Sequence, residues 1–295
     1  MSAPTIPGRR ALLLVNPNAR RGSEPLGAII ARLEDGGIAV TQEQFSSPTE
    51  VSPDIIRLSP GHDLVIVCGG DGTLNAAAQA IMMIGLPLGI LPMGTANDLA
   101  RTLGIPTDLM RAADIIIAGN ARRIDLGEVN GHPFFNVASL GLSAELARGL
   151  TKDIKRRWGR VGYALAALRV LASARPFRAR IESGTSIVRV TTLQIAVGNG
   201  RYYGGGMAVE STARIDDHHL DLYSLEVRSV WKLALMLRSF RRGAHGAWRE
   251  VRTERATEFD IRTRKPRPIN TDGELVTFTP ARFRVIPSAL EVFAP

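Results

Sequence analysis

The sequence is short of cysteine, lysine, aromatics and long apolar runs, and each shortage removes a class of protein. Cys68 is the single cysteine, so a disulfide framework is excluded and a zinc cluster is disfavoured. Aromatic residues make up 5% of the chain, too few for the stacking platforms that hold single-stranded nucleic acid. The longest uninterrupted apolar run, Tyr163 to Leu168, falls far below the roughly 20 residues that span a bilayer. Residues Met1 to Arg10 lack a long apolar core followed by a small-residue cleavage site, so no signal peptide is read. No Gly-x-x-x-x-Gly-Lys-Ser/Thr motif occurs, which disfavours a P-loop NTPase. The expectation is a cytoplasmic protein with no internal repeat.

What is present suits one large or two ordinary domains. The chain has 295 residues, 45% hydrophobic and 22% charged, with a net charge of +9. Lysine occurs only at Lys152, Lys155, Lys232 and Lys265, so arginine carries the charge. An excess of this kind suggests nucleic acid, an anionic membrane surface or phosphates as partner, and arginine suits bidentate phosphate contacts. A GC-rich genome would also favour arginine, without removing the net charge.

The first 120 residues or so alternate strand and helix. Ala11–Val15, Ile38–Phe45, Leu64–Cys68 and Pro87–Leu91 read as strands. Leu26–Asp35, Pro53–Ser59, Leu74–Ile84, Asn97–Leu103 and Leu109–Ala118 read as helices. This grammar predicts a parallel sheet with helices on both faces. After about Asp125 the segments become β-like: Ile124–Val129, Phe134–Ala138, Arg178–Glu182, Val188–Val197, Leu220–Val227, Glu258–Thr263, Leu275–Thr279 and Arg282–Ile286, with helices near Tyr163–Ala172 and Val230–Phe240. A second, β-rich domain is expected, with the tail Leu290–Phe293 in either one.

Two strand-to-helix turns carry glycine and threonine. Leu64–Cys68 delivers Gly69-Gly70-Asp71-Gly72-Thr73 to the carboxyl edge of the sheet, where open α/β sheets bind ligands. Glycines let backbone N–H groups approach a phosphate, and the helix N-terminus adds positive potential. An aspartate there is repelled by bare phosphate, but makes sense beside Mg²⁺. The plainer reading is a turn with Thr73 as N-cap. Leu88–Asp98 has the same shape, with Gly94-Thr95 before a helix and a capping-box-like Thr95–Asp98 spacing as its plainer reading.

Three further segments are ambiguous. Gly198 to Gly204 mimics a dinucleotide fingerprint, but the residues after it are not helical. Asp272-Gly273-Glu274 is by spacing a hairpin turn. Arg214 to Asp221 clusters acids with His218 and His219; oxygen ligands there suit Mg²⁺ or Ca²⁺, and a solvated loop explains it as well.

Gly69 to Thr73, Gly89 to Asp98 (Gly-Ile-Leu-Pro-Met-Gly-Thr-Ala-Asn-Asp), Ile124 to Gly127 and Asp272 to Glu274 occur in the order and spacing of the diacylglycerol kinase catalytic-domain family. The chain resembles its soluble bacterial lipid kinases from Asn16-Pro17 to the tail. The resemblance implies ATP-dependent phosphorylation of a lipid hydroxyl in a cleft between two domains. One is an N-terminal three-layer α/β nucleotide-binding domain with a parallel sheet, residues 1–128 joined by 283–295. The other is a C-terminal β-rich, β-sandwich-like domain, residues 129–282. It implies nucleotide binding by Asn16, Gly69, Gly70, Asp71, Gly72, Thr73, Asn75, Gly94 and Thr95, Mg²⁺ organised by Asp71, and Glu274 as general base. It places a second metal site on the carbonyls of Arg214 and His219 and the carboxylate of Asp217, and matches Asp125 to an acidic position near the cleft.

The chain departs from the family pattern at four places. Its first loop is Asn16-Pro-Asn-Ala-Arg-Arg-Gly22, which brings Arg20 or Arg21 towards phosphate. Ala76 stands where Glu is frequent, Phe45-Ser46 replaces a threonine, and His218 stands where Gly is usual. The expected partners are ATP, a lipid and an anionic membrane surface reached by Arg156, Arg157, Arg160, Arg238, Arg241 and Arg242. Nucleic acid is not expected, and a homodimer is left open. The alternatives are a kinase of NAD or a small alcohol on the same fold, and a non-catalytic lipid-binding protein.

Overall fold

The computed structural model describes residues 8–17, 26–45, 47–149, 174–200, 202–203, 207–208, 214–227 and 251–295. The expected helices at 163–172 and 230–240, the arginines at 156, 157, 160, 238, 241 and 242, and Arg20 and Arg21 lie outside the described residues. The chain divides into two units, one of residues 1–125 with 287–295 and one of residues 126–286.

The first unit is a parallel sheet clothed by helices. Its strands are β1 (Arg9–Val15), β2 (Ile38–Gln44), β3 (Leu64–Gly69) and β4 (Leu88–Pro92), in the order β2-β1-β3-β4 with parallel pairing throughout. Ala11–Val15 of β1 and Leu64–Cys68 of β3 are buried apolar runs because both sheet faces are covered. The helices are α1 (Gly27–Asp35), α2 (Pro48–Leu58), α3 (Asp71–Ile84), α4 (Asp98–Leu103) and α5 (Leu109–Ala118). The chain moves outward from β1 in opposite directions to β2 and β3, so right-handed crossovers put α1 and α2 on opposite faces. α2 packs with α3, and α1 with α5.

α2 begins five residues before the expected Pro53. Ser47 caps it: its Oγ accepts the Thr49 N–H at 3.2 Å while the Ser47 N–H donates to Glu50 at 3.2 Å. Pro48 fills the first turn, where no N–H is needed, and Pro53 lies inside the helix.

β5 (Ala121–Val129) carries the chain into the second unit. There follow β6 (His132–Phe134), β7 (Val137–Gly141), α6 (Leu142–Gly149), β8 (Phe177–Ser183), β9 (Ser186–Thr192), β10 (Gln194–Gly198), β11 (Tyr202–Tyr203), β12 (Met207–Ala208), β13 (Leu220–Leu225), β14 (Val251–Ala256), β15 (Glu258–Thr263), β16 (Pro268–Thr271), β17 (Glu274–Phe278) and β18 (Ala281–Phe293). One antiparallel sheet has the order β14-β13-β10-β7-β16-β17, and the first part of β18 continues in the order β18-β15-β8-β9. Phe134, Leu140, Ile195, Phe259, Ile269 and Phe283 share one buried core.

Two expected strands are each split in two. Val188–Val197 changes sheets at Leu193, where Thr192 Oγ1 contacts the carbonyls of Gln194 and Leu225 at 2.7 and 2.9 Å. Phe134–Ala138 breaks at Phe135 and Asn136, between β6 and β7. The expected Arg282–Ile286 strand and Leu290–Phe293 tail are one strand, β18, which returns the chain to the first unit beside β4 at Val292 and Leu88. No described helix is long and apolar enough to cross a membrane.

Candidate functional site

In the first unit the parallel register brings the carboxyl ends of β1, β3 and β4 to one edge, with Val15 beside Cys68 and Gly69 beside Pro92. Strand order reverses direction between β1 and β3, and such a switch point opens a crevice. Asn16 closes the crevice from the β1 side: its N–H donates to the Cys68 carbonyl at 3.0 Å and its Nδ2 to Thr73 Oγ1 at 2.8 Å.

The two glycine-bearing turns touch. A Cβ on Gly70 would lie 2.9 Å from the Gly94 Cα, and one on Gly94 would lie 2.6 Å from the Gly70 Cα. Neither position has room for a side chain, and the Met93 N–H donates to the Gly69 carbonyl at 2.9 Å, closing the contact. The second turn is shaped by Asn97, in the left-handed region at φ 51°, whose Oδ1 accepts the Gly94 N–H at 2.9 Å and whose Nδ2 donates to the Gly94 carbonyl at 3.1 Å.

The capping readings are both corrected here. Gly70, not Thr73, is the N-cap of α3, without a side-chain cap bond; Thr73 is buried in the first turn. Asn97, not Thr95, precedes α4, and Thr95 is exposed. As first-turn residues, Asp71 and Gly72 carry N–H groups without intrahelical acceptors. An uncapped helix N-terminus of this kind suits an anion.

Asp71 bridges the turns from the side. Its Oδ1 accepts the Leu99 N–H at 3.1 Å, and its other oxygen has no partner among the described residues. Mg²⁺ is usually held by one or two carboxylates together with phosphate oxygens and water, so the residues here fit the expected ion. Among the described residues, no group of three or more His, Cys, Asp and Glu could hold a metal unaided. Asn75 is half-buried on the same helix, and its buried Oδ1 has no partner among the described residues. Asp125, 1% exposed, accepts the Ser288 N–H at 2.7 Å.

Cys68 ends the apolar part of β3. Burial pushes its thiol up to about 12, so it is a protonated core group that donates to Met93 Sδ.

In the second unit, Asp272-Gly273 forms the two-residue turn of the β16–β17 hairpin, with Thr271 opposite Glu274. Both turn residues have positive φ, 46° and 105°, which the right-handed twist of the flanking strands requires. The Asp272 carboxylate also gathers three successive backbone donors: Phe135 N–H at 2.8 Å, Asn136 N–H at 3.2 Å and Val137 N–H at 3.0 Å. Phe135 and Asn136 lie in the break between β6 and β7, and Val137 opens β7. Asn270 Oδ1 accepts the Gly273 N–H at 3.0 Å. The turn is thus pinned on both sides, and Glu274 stands exposed at the first position of β17.

The 214–219 loop is held by its own charges. Asp217 Oδ1 accepts the His219 N–H at 3.1 Å, and its other oxygen pairs with Arg255. Arg214 pairs with Asp216 at 3.1 Å. His218 adopts φ 60°, the region open to glycine without cost.

The first unit therefore collects Asn16, Gly69 to Thr73, Asn75, Gly94 and Thr95 at one sheet edge, while Glu274 and the Arg214–His219 loop belong to the second unit. Sequence reasoning missed Asn97 and Asp272. Asparagine's tolerance of the left-handed region was a usable signal for the first; the second has only the Asp-Gly turn signal, which does not reveal the donors from β7.

Comparison with known proteins bears on both units. Residues 10–129 match the diacylglycerol kinase catalytic domain, and residues 136–294 match the YegS C-terminal NAD kinase beta sandwich-like domain. A probable lipid kinase YegS-like protein of Pseudomonas aeruginosa is 32% identical over 96% of this chain and 94% of its own length. A diacylglycerol kinase of Staphylococcus carnosus is 27% identical over 97% and 95%. A crystal structure of a diacylglycerol kinase from Bacillus anthracis has the same fold, with TM-score 0.78 at 22% identity over 97% of each chain.

Proposed function

The chain belongs to the family of diacylglycerol and YegS-like lipid kinases, and from that membership we propose that it transfers the γ-phosphoryl group of ATP to the hydroxyl of a lipid at a membrane surface. The observation that carries the reading is the pair of mutually touching glycine turns before an uncapped helix, with Asp71 fixed beside them.

In this reading the N–H groups of Asp71 and Gly72 and the Thr95 hydroxyl orient the triphosphate. The bare backbone at Gly70 and Gly94 lets phosphate oxygens come close, and Asn16 fixes Thr73 in the first turn of α3. Asp71 holds Mg²⁺, which when bound neutralises charge on the β- and γ-phosphates. Glu274 accepts the proton from the lipid O–H as that oxygen bonds to the γ-phosphorus. The bond from that phosphorus to the bridging oxygen breaks, and ADP leaves with the electron pair. Phosphoryl transfer is mostly positioning and charge neutralisation, with a base for the acceptor. Asp272 acts through Glu274, by fixing the turn that presents it. The carbonyls of Arg214 and His219 and the Asp217 carboxylate would hold a second cation, for which Asp217 would have to give up its pairing with Arg255.

The test is turnover with ATP, Mg²⁺ and mixed lipids, read by mass spectrometry of the lipid products, with NAD as an alternative acceptor. Lipid phosphate is expected from the wild type, and Glu274→Gln lowers turnover by about 10²–10⁴-fold. Undiminished turnover in that variant removes Glu274 as base, and phosphorylation of NAD in place of lipid removes the lipid acceptor.

A further inference from the structure

The outer face of β8, β9 and β15 carries positive charge that neither glycine turn nor the Asp272 hairpin uses. β8 alternates: Phe177, Ala179 and Ile181 point into the core, while Arg178, Arg180 and Glu182 face outward. Register sets Arg180 directly opposite Arg189 on β9 and directly opposite Arg262 on β15. Three arginines therefore form one row across three adjacent strands. Arg178 lies opposite Thr191, and Arg264 follows the end of β15. Together they line an open depression of about 420 Å³.

This row does not help the fold. Like charges directly opposite one another on a ladder are destabilising. Counter-charge is thin: Glu182 lies 3.0 Å from Arg180 Nε and 3.8 Å from Arg262 Nε. Arg178, Arg189 and Arg264 have no acidic partner among the described residues. Five arginines against Glu182 and the neighbouring Asp260 leave three positive charges in excess. Asp260, opposite Glu182, lies also opposite Arg282, whose charged form it favours. Among the described residues of this unit, Arg252 pairs with Glu226, Arg282 with Glu258 and Arg284 with Glu128.

We propose that this face is a docking surface for an anionic bilayer, on which the guanidinium groups take the phosphates of phospholipid headgroups. Guanidinium binds phosphate with two parallel N–H donors, and a depression lined by several suits one headgroup set among others. No outward aromatic side chain accompanies the row, so a nucleic acid would find charge without a stacking platform. The choice of a bilayer over a soluble anion rests on the lipid-kinase reading above.

The experiment is sedimentation of the full chain with vesicles, either of phosphatidylcholine alone or with about one lipid in four replaced by phosphatidylglycerol. Wild type is expected on the anionic vesicles only, and less as salt rises. The triple variant Arg178→Gln, Arg189→Gln, Arg264→Gln spares the Glu182 pairs and is expected to bind roughly 100-fold more weakly, about fivefold for each arginine. A thermal midpoint no lower than wild type shows that this loss is not unfolding. The triple variant Arg252→Gln, Arg282→Gln, Arg284→Gln removes the same charge elsewhere and keeps most of the binding. Equal loss in both variants, or no loss in the first, overturns the proposal. So does a wild type that ignores anionic vesicles but takes up single-stranded nucleic acid or a soluble phosphate ester. Turnover on lipid in detergent micelles is measured alongside and stays unchanged in the first variant. Vesicle binding without lipid phosphorylation would overturn the kinase reading and leave the docking face standing.

Discussion

Asp272 is the residue whose loss reaches furthest. It answers three backbone N–H groups, two in the break between β6 and β7 and one at the first residue of β7. Charged hydrogen bonds contribute about 1.5–3 kcal/mol each, with strong non-additivity inside one cluster. Asp272→Ala is expected to destabilise the second unit by about 2–4 kcal/mol in a urea titration, with Asp272→Asn losing less. Gly70 makes a sharper case. A methyl group there meets the Gly94 backbone at 2.9 Å, and neither side can yield without separating the two turns. Gly70→Ala should abolish ATP binding by calorimetry while leaving most of the stability intact. Cys68 sets a pH signature. Its folded thiol titrates near 12 against a reference of 9.0, because burial disfavours the thiolate. The unfolded chain ionises first as pH rises, so stability is level below about 9 and falls from there towards 12. Urea titrations at rising alkaline pH check the slope, which Cys68→Ala should flatten.

At the scale of elements, legibility follows the reach of the forces. Leu109–Ala118 and Glu258–Thr263 stand where their patterns put them, since apolar period and turn residues are local. A proline inside a helix looks like a start, so Pro53 marks α2 too late in the chain. The true start is a capping box, Ser47 with Glu50, and Ser47→Ala should cost about 1 kcal/mol. β9 and β10 read as one strand because both halves are β-like and no glycine or proline separates them; the apolar alternation does slip by one residue at Thr191-Thr192, where the partner sheet changes. The candidate site shows the same division. The glycine turns are legible as turns, and their mutual contact is not, because residues 70 and 94 meet only through the pairing of β3 with β4. The arginine row is likewise set by register: each residue is an ordinary exposed strand position until three strands are laid side by side.

For the molecule as a whole, the first unit is discontinuous. Residues 287–295 return to it after the whole of the second unit, bringing buried Leu290, Val292 and Phe293 and the N–H that Asp125 accepts. Three such side chains contribute about 2 kcal/mol each, a large part of the roughly 5–15 kcal/mol that separates folded from unfolded domains. A chain stopped after Ile286 should lose ATP binding and expose the first unit to limited proteolysis, with fragments from residues 126–286 resisting longest; equal resistance of both units would contradict this.

The same return strand governs how the protein is born. β4 is finished about 200 residues before Val292 is added beside Leu88, which at about 5–20 residues per second is roughly 10–40 s. During that interval the nascent first unit holds out an apolar strand edge at β4 without the neighbour that Val292 supplies. The earlier-made unit thus waits for the last-made strand before its sheet is complete.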